Sequence, residues 1–336
     1  MIVSFSLPTC PSVRFVDPDG EPSSKKCFRE KASDDFTGQT VWASSVLLGR
    51  WVLANADSLE GRSVLEIGSG CGLAGLAAAR CTNARAVCLS DFASATMANL
   101  ANNVDANCTR WSALPLDNIE ADLTKKHWVA EGGGSGTACE VRIARMNWDD
   151  EDTWPSAARD RVRPPSTGSA GEDGADPRDL FDVVLAADVL YRRSYARKVA
   201  AVVRGVLRPG GILVSVSPAM REGLSLLRRL MTEAGAVTEE VPLPEAWHAN
   251  PLRSPSSSSS TSIAHTEVGG GTSEVVRRPA PPASWDCSDC TSSGSQPTLV
   301  SDDAARGLFP ELFIPGYEMT CLVFTLPDGK PGARPM

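Results

Sequence analysis

Gly68, Gly70 and Gly72 follow the apolar run VLEI and lead directly into LAGLAAARC. A strand that turns through glycines into a helix brings backbone N–H groups close to a ligand and aims the helix N-terminus at it. The spacing alone is ambiguous: Gly70, Gly72 and Gly75 satisfy GxGxxG, while Gly68, Gly70 and Gly72 satisfy ExGxGxG. Glu66, two residues before the first glycine, separates the two readings. A carboxylate there repels a pyrophosphate and favours a ligand carrying an ammonium and a sulfonium, as S-adenosylmethionine (AdoMet) does. Asp91, 21 residues after Gly70 at the end of AVCLSD, suits the hydroxyls of a ribose. Nicotinamide sites use an acid in the same place, so Asp91 supports a ribose without choosing the cofactor. Farther on, FDVVLAADVLY sets Asp188 and Tyr191 at the end of a buried apolar run.

These residues need a scaffold of alternating elements. VLEI predicts a strand and LAGLAAARC a helix, and AVCLSD with the Asn-rich stretch after it completes a strand–helix–strand unit. VRIARMNW from Val141, FDVVLAADVLY from Phe181, ILVSVSP from Ile212, AVTEEVPL from Ala236 and YEMTCLVFTL from Tyr317 read as further strands. YARKVAAVVRGVL from Tyr195, stopped by Pro209, Gly210 and Gly211, and MREGLSLLRRLMTEAG read as helices. Strands alternating with helices predict an α/β fold with an open, mostly parallel sheet covered on both faces. Residues 130–139, 156–179 and about 249–300 break the alternation with Gly, Ser, Pro and charge, and the last is predicted to be disordered. A strand follows that insert, so it leaves and re-enters one domain.

Composition narrows the partners. The 336 residues carry a formal charge of -8, which gives no overall reason to bind nucleic acid or an acidic membrane. No stretch supplies the ~18 uninterrupted apolar residues of a membrane helix, and the N-terminus lacks a basic leader, so a soluble, cytoplasmic or nuclear protein is expected. Ten scattered cysteines suggest mostly buried thiols in a reducing compartment. Cys287 and Cys290 form a single CxxC without convincing partners among His127, His248 and His265, so no metal site is expected. The arginine pairs 192/193, 228/229 and 277/278 are short, and solvated helix surfaces explain the first two. Asn103 and Asn107 read as solvent-facing or loop-bonding, and Trp51 as core.

Taken in order, TGQTVWASSVLLGRWVLAN, VLEIGSGCGLAGLAAAR, LSDF, NVDAN, NWDD and FDVVLAADVLY resemble the class I, seven-strand AdoMet-dependent methyltransferases. More narrowly, they resemble methyltransferase family 16, which includes many protein-lysine methyltransferases. The resemblance runs over residues 36–240 plus the final strand. It implies a Rossmann-like sheet of seven strands, the last antiparallel, in one domain over residues 37–326 between an N-terminal extension (1–36) and a short tail (327–336). Carried over by position, it places Glu66, Gly68, Gly70 and Gly72 around the methionine moiety of AdoMet and Asp91 on the ribose. Trp148 would flank the adenine, Asp149 would lie near its amino group, Ala187 would line the floor and Trp42 would close the other side. Asp188 and Tyr191 match the family's acidic-x-x-Tyr motif beside the transferred methyl. Ala43 departs from the proline common after the upstream tryptophan, which bears on the local backbone.

The implied activity is methyl transfer to a protein side-chain nitrogen, lysine first, by a monomer. Arginine, histidine or a small amine are alternative acceptors, and a non-catalytic AdoMet-binding adaptor is the reading from another class. A nicotinamide oxidoreductase is disfavoured by Glu66. Asp188 has two open roles: orienting the incoming ammonium and passing on its proton, or shaping the strand end, including as a helix N-cap. Tyr191 could stack on the alkylammonium or donate its hydroxyl.

Overall fold

The computed structural model describes residues 2–7, 10–16, 36–110, 127–131, 138–157, 180–248 and 318–328. Strands β1 (Ile2–Leu7) and β2 (Cys10–Val16) form an antiparallel pair of their own. The main sheet contains β3 (Ser63–Ile67), β4 (Ala86–Asp91), β5 (Thr109–Arg110), β6 (His127–Glu131), β7 (Ala138–Arg145), β8 (Phe181–Ala187), β9 (Leu207–Pro218), β10 (Val237–Val241) and β11 (Met319–Thr325). Their spatial order is β10-β11-β9-β8-β3-β4-β7-β6-β5. Pairings β7-β4-β3-β8-β9 are parallel, and β11 runs antiparallel between β9 and β10.

The expected Rossmann-like α/β architecture is therefore present, with a correction to the count. All seven expected strands occur, and β6 and β5 add two more beyond β7, β6 antiparallel to it. Residues 130–139 were expected as a loop, yet β6 continues through Glu131 and β7 starts at Ala138. Burial explains the extension, since Trp128 is fully buried with its indole N–H on Asp105 Oδ1 (2.6 Å) and Cys139 is fully buried. The insert expected at 156–179 lies outside the described residues from 158 on, as does the one at 249–300 with Cys287, Cys290 and His265.

Among the described residues, five helices cover the sheet: α1 (Ala43–Ala54), α2 (Leu73–Cys81), α3 (Ser94–Asn107), α4 (Tyr195–Val206) and α5 (Glu222–Glu233). Side chains alternate across each strand, so two cores form. Val64, Val183 and Leu185 join Leu47, Leu48 and Leu76 on one face, while Leu65, Ile67, Val184 and Ala186 join Val199, Val203 and Leu227 on the other. The same alternation sends Glu66 toward α2. Helix α4 ends at Val206, and Pro209, Gly210 and Gly211 lie within β9 instead of ending the helix themselves; Gly210 takes φ 69° there.

Buried polar groups knit the sheet where the cores meet water. Asp182 at the start of β8 accepts from both Ser63 N–H and Ser63 Oγ–H at 2.7 Å and pairs with Arg208 Nη1 at 2.6 Å. Among the cysteines, Cys71, Cys88, Cys139 and Cys321 are buried free thiols, whereas Cys81 is disulfide-bonded. No helix among the described residues is long and apolar enough to cross a membrane.

Candidate active site

The parallel order reverses direction at β3 and β8, and the crevice beyond the C-terminal ends of strands at such a point is where open α/β sheets bind ligands. The loop leaving β3 fills that position. Gly68, Gly70 and Gly72 adopt φ of 59°, 54° and 80°, a left-handed region costly for other residues. Space is limiting as well. A Cβ on Gly72 would lie 2.6 Å from Leu100 Cδ1, and one on Gly68 would lie 3.0 Å from Val189 Cγ1 and 3.4 Å from Trp148 Cζ2. Gly68 is thus the point where the ends of β3, β7 and β8 converge.

The loop is held from several sides. Asp91 Oδ2 accepts from Gly70 N–H at 2.9 Å and Oδ1 from Phe92 N–H at 2.7 Å, which fixes the carboxylate at the end of β4. Ser69 and Ser90 stitch the loop to β4 through Ser69 N–H to Ser90 O (2.9 Å), Ser90 N–H to Ser69 Oγ (2.9 Å) and Ser90 Oγ–H to Glu66 O (2.8 Å). Asn103 reaches from α3 to donate to Cys71 O at 2.9 Å, and Asn107 donates to Asn103 O at 2.7 Å. Both asparagines are buried, not solvent-facing; Asn103 bonds the loop, whereas Asn107 bonds the backbone of its own helix.

Glu66 lies under the loop. It is 1% exposed, and its Oε2 accepts from Gly75 N–H in the first turn of α2 at 3.1 Å. Burial pushes its carboxyl up to about 8 from an ordinary 4.5; the Gly75 hydrogen bond opposes that rise, and the charge of Asp91 adds to it. The structure therefore places Glu66 as the support of the strand–helix turn, at hydrogen-bond distance from α2.

The turn Phe36–Gln39 covers the loop's other side, since a Cβ on Gly70 would lie 3.1 Å from Gly38 O. Trp42 begins α1 and donates its indole N–H to Thr37 O at 2.9 Å, holding that turn in place. Trp148, half-buried after β7, presents its ring to Gly68 and meets Tyr195 edge-to-face at 5.6 Å. Asp149 is exposed and pairs with Lys198 Nζ at 2.5 Å.

Ala187 is the last residue of β8, and the chain then bends sharply. Asp188 has φ 51°, the one positive φ outside glycine among the described residues, and its N–H donates to Val216 O at 2.8 Å. Its carboxylate is bidentate with Arg221: Nε to Oδ1 at 2.8 Å and Nη2 to Oδ2 at 2.7 Å. Burial pushes the Asp188 carboxyl up, and the guanidinium draws it back down. Ser194, not Asp188, is the N-cap residue of α4, so the capping role alone is set aside. Tyr191 is 41% exposed and packs its ring edge-to-face on Tyr195 at 4.9 Å. An aromatic series Trp148–Tyr195–Tyr191 thus joins the glycine loop to the rim.

Sequence reasoning missed Arg221, Tyr195, Ser69 and Ser90. Arg221 is 33 residues from Asp188 and nothing local points to it. Tyr195 had a signal, because two of the chain's three tyrosines stand four residues apart at this strand end. Trp51 is core, 5% exposed.

Comparison with known proteins adds a family. The family described as lysine methyltransferase matches residues 23–127. Protein-lysine N-methyltransferase EEF2KMT of Homo sapiens is 30% identical over 155 residues, 46% of this chain and 36% of that protein. The Bos taurus protein of the same name is 28% identical over 219 residues, 62% of this chain and 56% of that protein. Methyltransferase-like protein 22 of Mus musculus is 31% identical over 156 residues, 46% of this chain and 31% of that protein. This chain therefore spans from about a third to just over half the length of these relatives.

Proposed function

We propose that this chain transfers a methyl group from AdoMet to a side-chain nitrogen of a protein, with lysine the acceptor, a reading supported by the similarity of residues 23–127 to the lysine methyltransferase family. The observation that carries this reading is the convergence at Gly68. A left-handed glycine loop, a fixed ribose-type carboxylate at Asp91 and the Trp148 ring meet within two strand ends of the Asp188–Tyr191 rim. A Cβ at Gly68 or Gly72 would run into Val189, Trp148 or Leu100, so the loop can hold this close-packed, left-handed course only as glycine, and the Asp91 carboxylate fixed beside it suits a ribose.

In this reading Gly68, Gly70 and Gly72 give the methionine end room, Asp91 takes the ribose and Trp148 covers the adenine. Trp42, through Thr37, holds the turn that closes the other side, and Ala187 forms the floor. When bound, AdoMet supplies an electrophilic methyl on a positively charged sulfur. The chain's own task is to present a neutral amine in line at about 3 Å, where positioning supplies much of the rate. A lysine ammonium titrates near 10.4 in water, so the rim must favour its neutral form. Tyr191 and Tyr195 offer an aromatic surface that desolvates the ammonium. A bare carboxylate would hold the proton on. Asp188 shares its charge with Arg221, so it can orient the amine while opposing its deprotonation less.

The proposal extends to a monomer that works on protein rather than nucleic acid, in the cytoplasm or nucleus, supported by the net charge of -8. Calorimetric titration with AdoMet and with NAD, beside a radiolabelled methyl-transfer assay on cell extract, tests it. AdoMet binding with label on a protein lysine is the expected result. Label on arginine, histidine or a small amine would change the acceptor, binding without transfer would favour an adaptor, and preference for NAD would overturn the reading of Glu66.

A further inference from the structure

Several basic side chains of the described residues are paired with acids: Arg208 with Asp182, Arg228 with Glu240, Arg229 with Glu233, and Lys198 of α4 with Asp149. The outermost face of α4 carries others that are not. The helix sequence YARKVAAVVRGV contains no acid, and Arg193, Arg197 and Arg204 are exposed with no hydrogen bond or ion pair to any described residue. Arg197 and Arg204 are seven residues apart, two helical turns on one face, with exposed Ala201 between them. Arg193 carries the line past the start of the helix to within two residues of Tyr191. The opposite face of α4, through Ala196, Val199, Val203 and Val206, is buried, so the arginine face is the one presented outward.

Part of this placement works against the helix. A cation near a helix start opposes its dipole, as Arg197 does in the first turn, whereas Arg204 in the last turn suits it. In a chain with eight excess negative charges, the usual remedy of one nearby Asp or Glu is absent here. A local rule broken without a compensating contact is expected where a partner supplies the compensation.

We infer that the outer face of α4, from Arg193 to Arg204, is the docking surface for an acidic stretch of the protein substrate, which lays its target lysine at Tyr191. The inference rests on the methyl-transfer reading for the position of the lysine. The face spans about 16 Å at 1.5 Å per residue, so it matches a short acidic segment. Between Arg197 and Arg204 it exposes Ala201 and Gly205 and no aromatic side chain, so bases have no stacking surface along its length beyond Tyr191 and Tyr195 at one end, which favours an acidic peptide over single-stranded nucleic acid. The rim it adjoins has Arg192 over the Tyr195 ring at 5.9 Å and Asp149 neutralised by Lys198. An incoming lysine therefore gains its attraction from acidic neighbours on its own chain.

The test uses the full chain and two fluorescent 15-residue peptides, each with one lysine, one flanked by six Asp or Glu and the other by Ser. Binding is read by anisotropy in the presence of AdoMet, so it does not depend on turnover, and methyl transfer is read separately. The acidic peptide should bind at least tenfold tighter, and raising NaCl from 50 to 300 mM should erase most of the difference. Arg193→Glu/Arg197→Glu/Arg204→Glu should lose the preference with AdoMet affinity unchanged, the Lys triple should keep most of it, and Arg228→Glu/Arg229→Glu on α5 should retain it. Single Arg→Gln variants, checked by thermal melting, cover the case in which the triple does not fold, and each should lose part of the preference. Equal binding of the two peptides, or a preference that survives the triple or the singles, overturns the inference. Tighter, arginine-dependent binding of a 20-nucleotide single-stranded RNA than of the acidic peptide would overturn the choice of partner. Acidic-peptide binding without methyl transfer to any peptide would leave the docking face standing and count against the methyl-transfer reading instead.

Discussion

Strand β8 begins and ends on the same chemistry. Asp182 at its start and Asp188 just past its end each face an arginine, Arg208 and Arg221, and these two flank most of β9. The surroundings differ. Asp182 lies in ordinary strand backbone and also takes two hydrogen bonds from Ser63, so it ties β3, β8 and β9 together. Asp188 sits at φ 51° beside an exposed tyrosine, and its carboxylate is held by Arg221. Strain of this kind, on the order of 1–3 kcal/mol, persists when surrounding contacts over-determine it and gathers at functional sites. One end of the strand is therefore built for cohesion and the other for presenting groups.

The sharpest way to break that comparison is to remove the acid at each end. Asp182→Ala leaves the Ser63 N–H and hydroxyl buried without their acceptor, at about 1–3 kcal/mol for each unmet group. Chemical denaturation should show a loss of about 2–4 kcal/mol, with AdoMet affinity per folded molecule unchanged. A loss below about 0.5 kcal/mol would mean the cohesive end is not cohesive.

Asp188→Ala should cost less stability and more turnover. Arg221 is 30% exposed, so the full penalty for breaking a buried pair is reduced by solvent, to about 1–3 kcal/mol. Asp188→Ala and Arg221→Ala should each reduce kcat more than tenfold with AdoMet Kd nearly intact. The double variant should be no worse than either single, since both remove one unit. Multiplicative losses in kcat would separate the two side chains, and a parallel loss of AdoMet binding would move Asp188 to the cofactor side.

How much of this was legible in the sequence follows the range of the forces. The glycine loop and Asp91 are joined by contacts that sequence pattern encodes directly: a strand, a turn needing positive φ, a helix and an acid at the next strand end. The seven main strands were legible for the same reason, as buried parallel strands read as continuous apolar runs. Strand β6 was not, because its place is set by Trp128 reaching Asp105 across residues that show no pattern. The partner of Asp188 was hidden for a similar reason, since Arg221 arrives only when β9 has crossed the sheet and turned into α5. Glu66 was visible as an acid in the right place, but its burial against Gly75 belongs to the packed helix.

That burial gives a third, more graded test on the cofactor side. The folded value near 8 against 4.5 means that the native state retains a proton which the unfolded chain gives up between those values. Stability of the cofactor-free protein should therefore fall as pH rises from about 5 to about 8. Glu66→Gln keeps an oxygen for Gly75 N–H and should flatten that dependence in thermal melts. If the Glu66 carboxylate instead serves the ammonium of AdoMet, binding near pH 7 should release a proton, seen as calorimetric heat that changes with buffer. A flat pH profile in the unaltered chain would contradict the buried, proton-retaining state.

The smallest effect is expected at Asp149, where the two halves of the site come closest to sharing a residue. Its carboxylate is 60% exposed and paired with Lys198, which is also 5.5 Å from the Tyr195 ring centroid. An exposed pair of this kind contributes about 0.2–1 kcal/mol, so Asp149→Asn should change stability by no more than about 0.5 kcal/mol. Its effect on AdoMet affinity decides where the residue acts. Asn keeps a carbonyl that can accept from an adenine amino group, so a Kd within threefold of the parent, with Asp149→Ala at least tenfold weaker, places the side chain on the adenine. If both substitutions leave Kd alone but alter KM for the protein acceptor, Asp149 acts through Lys198 and Tyr195 on the rim, and the boundary between the two halves lies between Trp148 and Asp149.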